Sequence, residues 1–402
     1  MAASRITTRS YHGRASACYA TLVSRAFVTL LALTAASTVS AACKRSAERK
    51  VAPGPASDAP DDAAVDARSE PAPDLSFVRG TIYIAEERAG RVQPVRLDAA
   101  TGGWIAHGGG PANLFPSGQM FLGGLLVIAT EGESEGDHVE QLAIVRGDAV
   151  ERFGPRAGAV RNPIVSADGH VVVVETSEHG FRDLYRIAPG AAGGRVVAVT
   201  RLTDNREGNF DPALSPDGTV LAFSSSRDGD AELYRAPSGG GAATRLTAFH
   251  KDDWSPLWSP AGDTLAFLSD REGPPRLFLM APDGTAQRRA TTETDPDVVE
   301  DLPRWSPAGG ALLFTRSAGA ILVLHVLDVP TGKVRKLTPE GVTDTDAAWS
   351  PDGVYLAVLR RALSPAQTVA AAEVTLVRAA DGAVMAQLPR SGGDVRLLRW
   401  IP

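Results

Sequence analysis

Three groups of residues have the chemistry a functional site needs. Gly132-Glu133-Ser134-Glu135-Gly136 has the G-x-S-x-G spacing of a hydrolase nucleophile. That motif requires a strand-to-helix elbow and a downstream acid and His at other strand ends. Here a glutamate on each side of the serine opposes alkoxide formation and the surroundings read as a turn between two strands, so the segment is expected to be a loop. His138, His179 and His250 fall in loops that the register places on one face, where three imidazoles could hold a metal. With no H-x-H or H-x-x-H pair, they read as solvent-facing instead. His107, His170 and His325 share no register. Carboxylates form the third group: Asp211, Asp252, Asp253, Glu300, Asp301, Asp344 and Asp346 recur just ahead of apolar runs, and Asp228, Asp230, Asp270 and Glu272 occupy turns. A ring of such oxygens could bind Ca²⁺ or meet a basic partner; the plainest role is that Asp starts turns well and faces water. Trp254, next to Asp253, adds an aromatic of the kind that anchors interfaces. Asp211, Asp253, Trp254, Glu300, Asp301 and Asp346 are the candidate partner-binding residues; no catalytic residue, metal ligand or cofactor is assigned.

The elements that must position these residues are repeats. Ser215-Pro216-Asp217-Gly218 recurs as Ser259-Pro260-Ala261-Gly262, Ser306-Pro307-Ala308-Gly309 and Ser350-Pro351-Asp352-Gly353, at spacings of 44, 47 and 44 residues. Ser166-Ala167-Asp168-Gly169 and Phe115-Pro116-Ser117-Gly118 read as degraded copies. Ser first, Pro fixing φ second and Gly accepting a left-handed conformation fourth spell a tight turn. A Trp often precedes it (Trp258, Trp305, Trp349), and a short apolar run follows, as in Thr219–Phe223 and Thr264–Leu268. A charged Gly turn, a second apolar run and Arg201-Leu202-Thr203, Arg245-Leu246-Thr247, Arg289-Ala290-Thr291 or Lys336-Leu337-Thr338 close each module. These runs are too short for helices and read as buried strands.

Four short strands in each 40–50-residue period are the signature of a β-propeller, an all-β ring in which stacked blades cover each other's faces. Six turn markers start six modules. A seventh must combine the two ends: Arg399-Trp400-Ile401-Pro402 matches the Trp-Ser-Pro before a turn, and Arg79-Gly80-Thr81-Ile82-Tyr83-Ile84 supplies its continuation. Residues 76–402 then hold seven blades of about 47 residues, with six longer blades as the alternative. The pattern W-S-P-D-G, apolar strand, S-x-R-D-G-x-x-x-L-Y and R-L-T, best preserved over Leu214–Thr247, resembles the repeat of the TolB-type periplasmic propellers. The resemblance covers the propeller alone. TolB adds an α/β N-terminal domain and usually has six blades, so a Tol-Pal role is not implied. Peptidases of the prolyl type add a C-terminal hydrolase domain to a similar propeller; this sequence ends at Pro402, so that activity is not expected.

The first 42 residues carry Arg5, Arg9, Arg14 and Arg25, no acid, and the apolar run Ala26–Val39, which is too short to span a bilayer but suits a secretory signal. Ser40-Ala41-Ala42-Cys43 resembles a bacterial lipobox, which implies cleavage before Cys43 and acylation of its thiol; simple secretion with Cys43 unmodified is the other reading. Residues 43–75, rich in Pro, Ala and Asp, cannot bury enough surface to fold and read as a disordered linker. Cys18 and Cys43 are the only two cysteines, so the propeller is built without disulfides. The chain as a whole carries a net charge of −6, which gives it no electrostatic reason to bind nucleic acid. The expected protein is an exported, non-enzymatic, monomeric propeller, periplasmic or on the cell envelope, held to a membrane only through Cys43, binding a protein or other envelope ligand on its acidic rim. A propeller lyase or metal-dependent hydrolase, and a purely structural envelope protein, are the alternatives.

Overall fold

The computed structural model describes residues 73–108, 112–131, 138–189, 196–363 and 370–402. The leader, Cys43, the linker as far as residue 72 and Gly132–Gly136 lie outside the described residues. Among the described residues, twenty-eight strands form seven four-stranded antiparallel sheets, the blades of one ring. From inside outward, blade 1 consists of Asp394–Ile401, Thr81–Arg88, Arg91–Leu97 and Trp104–Ala106. The innermost strands of blades 2 to 7 are Asn113–Phe121, Val160–Val165, Asn209–Leu214, Asp253–Trp258, Val299–Trp305 and Val342–Trp349. Most of these touch the innermost strands of the blades beside them and together wall a central channel.

Ring closure follows the sequence expectation. Trp400 pairs with Ile82 and Ile401 with Thr81, so the C-terminal strand becomes the innermost strand of the first blade. The break falls inside a turn: Pro351 of blade 7 packs on Gly80, as Pro216, Pro260 and Pro307 pack on Gly262, Gly309 and Gly353 of the next blade. Each of these glycines has a positive φ, between 72° and 78°. An added Cβ would meet the proline ring as well as strain the backbone.

The turn chemistry works as its residue types predict. Gly218 N–H donates to the Ser215 carbonyl (2.8 Å), while Ser215 Oγ donates to Asp217 (2.5 Å) and accepts from Val220 N–H (3.0 Å). Blade 2 departs from expectation. Phe115–Gly118 lies within the innermost strand, and the chain reverses at Leu122-Gly123, both at positive φ, directly between the paired residues Phe121 and Gly124. Two consecutive left-handed residues make the two-residue hairpin that matches strand twist; the Pro-Ser-Gly motif was a false marker.

Apolar slabs between adjacent blades form the core. One joins Leu359 and Leu376 of blade 7 to Ile82, Ile84 and Trp400 of blade 1, and another joins Phe121 and Leu142 of blade 2 to Val172 and Tyr185 of blade 3. Covered on both faces, Val172–Thr176 and Leu265–Ser269 are buried at every residue. That explains why Val172–Val174 and Leu265–Leu268 read as unbroken apolar runs rather than alternating ones.

Candidate functional site: the acid clasps and the channel wall

The acids that open the innermost strands turn inward. Asp253 and Glu300 are inaccessible to water, as is Asp344. Arg271 grips Asp253 through Nε (3.2 Å) and Nη2 (2.5 Å), with its guanidinium 3.8 Å from the centre of the Phe249 ring. Arg316 holds Glu300 (3.1 and 3.0 Å), and Arg360 holds Asp344 (2.8 and 3.0 Å). The threonine of the R-L-T motif donates to the same carboxylates from the preceding blade: Thr291 to Glu300 and Thr338 to Asp344, both at 2.7 Å. Glu232 repeats the clasp within blade 4, held by Arg245, Thr247 and the Phe249 N–H. Each ion pair lies within one blade, where it gives a carboxylate removed from water the cation and donors it needs, and the Thr291 and Thr338 bonds join blade 5 to blade 6 and blade 6 to blade 7. Asp253 and Glu300 are therefore clasp residues and not rim groups. Trp254, expected as a partner-binding residue on the rim, is buried and aligns with Phe210 of blade 4, each directly before its strand's bulge.

The other candidates lie deeper along the innermost strands, where every blade except the first two has its turn serine four residues further on. That position holds Asn162, Asp211, Ser255, Leu302 and Asp346 in blades 3 to 7. A β-bulge interrupts each of these strands there, and the first four residues have φ between 47° and 53°. Asn and Asp tolerate this left-handed region; Ser and Leu rarely occupy it. Asn162 Nδ2 donates to Asp211 Oδ1 (2.9 Å) and Ser255 Oγ to Asp211 Oδ2 (2.9 Å), making one polar row across three blades. Glu175 lies behind it, 3.4 Å from the Asp211 N–H and held by Arg182 Nε at 2.5 Å. Enclosure by protein, reinforced by the Glu175 charge, pushes the Asp211 carboxyl up to about 6. Among the described residues the Asp301 carboxylate, on the innermost strand of blade 6, accepts only from the Leu302 N–H (2.7 Å), and desolvation by the surrounding wall raises its pKa.

Asp346 sits in a different setting. Arg304 Nη2 (2.7 Å), Arg399 Nη1 (2.9 Å) and the N–H groups of Leu398 and Ala347 (both 3.0 Å) converge on it. Burial would raise its pKa, and the two guanidiniums outweigh burial and lower it.

The histidines stay apart. His138 pairs with Glu140 (2.9 Å) and His179 with the Tyr185 hydroxyl (2.8 Å), each within its own blade. Among the described residues no three His, Cys, Asp or Glu side chains are grouped to hold a metal ion.

The family model of the TolB beta propeller domain matches residues 202–402. The chain belongs to the TolB β-propeller family. No curated protein matches it. Among solved structures, TolB from Acinetobacter baumannii is 18% identical, with 82% of this chain and 69% of that one covered at a TM-score of 0.50. A puromycin hydrolase is 20% identical at a TM-score of 0.57, covering 79% of this chain and 53% of the enzyme, so this chain spans about half of the enzyme's length. An oligogalacturonate lyase in complex with manganese is 16% identical at 0.51, covering 76% and 85%. At these identities the likeness is one of fold, and the TolB-type ring hosts more than one chemistry.

Proposed function

We propose that this chain is an exported envelope propeller that binds a partner rather than transforming one, and that a basic group of that protein or envelope ligand enters the channel against Asp211 and Asp301. The observation that carries this reading is a local shortage of positive charge. Asp211 and Glu175 share Arg182, and no ion pair reaches Asp301 among the described residues. A cation delivered by a partner would satisfy both carboxylates in a wall that focuses their field. Export and anchoring rest on the acid-free leader and on Ser40-Ala41-Ala42-Cys43, with residues 43–75 as the tether.

Affinity capture from detergent-solubilised envelopes tests it, comparing wild type, Asp211→Asn with Asp301→Asn, and Cys43→Ser. The expected outcome is a partner recovered by wild type and lost by the double variant, with Cys43→Ser released from the membrane fraction. Equal recovery by wild type and the double variant would refute the channel reading, and a membrane-bound Cys43→Ser protein would refute the anchor.

A further inference from the structure

The repeat shows which channel residues the fold itself requires. Two residues before the turn, the innermost strand carries Met120, Ile164, Ala213, Leu257 and Ala348 in blades 2, 3, 4, 5 and 7. The same position holds Arg304 in blade 6 and Arg399 in blade 1. Five blades close with an apolar residue there, so the propeller needs no arginine at this site. The two exceptions flank blade 7, whose Asp346 both of them grip.

This group is short of negative charge. Two guanidiniums share one carboxylate, and no other acid contacts either of them among the described residues. Asp346 already accepts four hydrogen bonds and has little capacity for more. Arg304 spends its remaining Nη1 on the Ala347 carbonyl. Arg399 reaches the Leu398 and Ser117 carbonyls through Nη1 and Nε, leaving Nη2 without a protein acceptor among the described residues. Both side chains keep part of their surface open, 29% for Arg304 and 23% for Arg399.

The sequence also makes room for Arg399. A Cβ on Gly118 would stand 2.4 Å from Arg399 Cδ, and Gly118 has φ +87°. Gly118 also lines a hollow of about 830 Å³ on the turn face, between the innermost strands of blades 1, 2 and 3. The hollow's wall includes Met120, Ser166, His170 and Ile401, two residues beyond Arg399.

We propose that Arg304 and Arg399 form an oxyanion site in the channel wall beside Asp346, taking a carboxylate or a phosphate that enters from the channel. One added negative charge balances the two guanidiniums, and the planar Arg399 fork presents Nη2 to it. This site lies across the ring from Asp211 and does not depend on the acidic wall binding a partner.

Isothermal titration at constant ionic strength tests it with three probes: inorganic phosphate, a tripeptide with a free C-terminal carboxylate, and the same tripeptide amidated. Saturable binding of phosphate or of the peptide acid, and not of the amide, is the expected result, and whichever probe titrates identifies the source of the oxyanion. Arg399→Gln should weaken that binding about tenfold or more, as loss of a charged hydrogen bond does. Asp346→Asn, which removes the competing carboxylate, should strengthen it. Arg378→Gln, at an exposed pair with Asp381, should leave it unchanged. If Arg399→Gln does not fold, Arg304→Gln serves in its place. The proposal fails if folded wild type binds neither anion saturably, if the arginine variant binds as well as wild type, or if Asp346→Asn binds more weakly while keeping its thermal transition.

Discussion

Asp211 is where a single residue's ionisation should be most visible. Its carboxyl titrates at about 6 in the fold against an ordinary value of 3.8, because the channel wall and Glu175 disfavour its charge. A carboxyl held more tightly protonated in the folded state costs nothing below pH 4 and its full penalty above pH 6. Stability should therefore fall as pH rises through that window, by up to about 3 kcal/mol for two units and less where channel water screens the charge. Urea melts of Asp211→Asn should show a gain over wild type at pH 8 that shrinks at pH 5; an equal difference at both values would remove the strain from Asp211. At this scale the sequence was only partly legible. It marked Asp253 and Glu300 as notable acids but not as buried ones, although the signal was present: an arginine follows each strand-opening acid at a near-constant distance, as in Asp253 with Arg271, Glu300 with Arg316 and Asp344 with Arg360. Covariation of charge between repeats, more than acidity alone, identifies a clasp. The oxyanion pair was likewise readable as a departure from the repeat, since Arg304 and Arg399 precede Trp305 and Trp400 where Leu257 and Ala348 precede Trp258 and Trp349.

Between elements, the tryptophan before three of the turns acts as a cross-blade strut. Trp258, Trp305 and Trp349 donate Nε1–H to the carbonyls of Ala213 (3.1 Å), Leu257 (3.1 Å) and Arg304 (3.3 Å) in the preceding blade, while Trp400 donates to Arg79 (2.6 Å) at the start of its own blade and ties the two chain ends together. Trp305→Phe keeps most of the apolar body and leaves the Leu257 carbonyl without its donor. It should lower stability by about 1–2 kcal/mol in equilibrium urea unfolding; no change would mean that the Trp is retained for packing alone. The repeat made this strut and the turns visible in the sequence, because four copies carry the same residues for the same reason. Blade 2 was not legible in this way. Its reversal at Leu122-Gly123 uses two left-handed residues in place of Ser-Pro-x-Gly, and Phe115-Pro116-Ser117-Gly118 has the right composition on a strand whose bulge needs Gly118 at positive φ.

For the molecule as a whole, seven blades and their closure followed from counting repeats, and the seven-sheet ring agrees with that count. The proposed binding role was less legible, because the residues that distinguish this propeller from its own repeat lie in the channel and not in the recurring motif. Closure carries the most weight: the channel wall, the Arg399 side of the oxyanion site and the slab joining blades 7 and 1 all depend on Asp394–Ile401 lying inside Thr81–Arg88. A designed cross-link tests this most directly. Glu87 and Asp394 face each other in the register, 307 positions apart in the chain. In a chain with Cys18→Ala and Cys43→Ala, the pair Glu87→Cys and Asp394→Cys should form an intramolecular disulfide under mild oxidation and raise the unfolding midpoint. Free thiols, or disulfides formed only between chains, would contradict the closed ring.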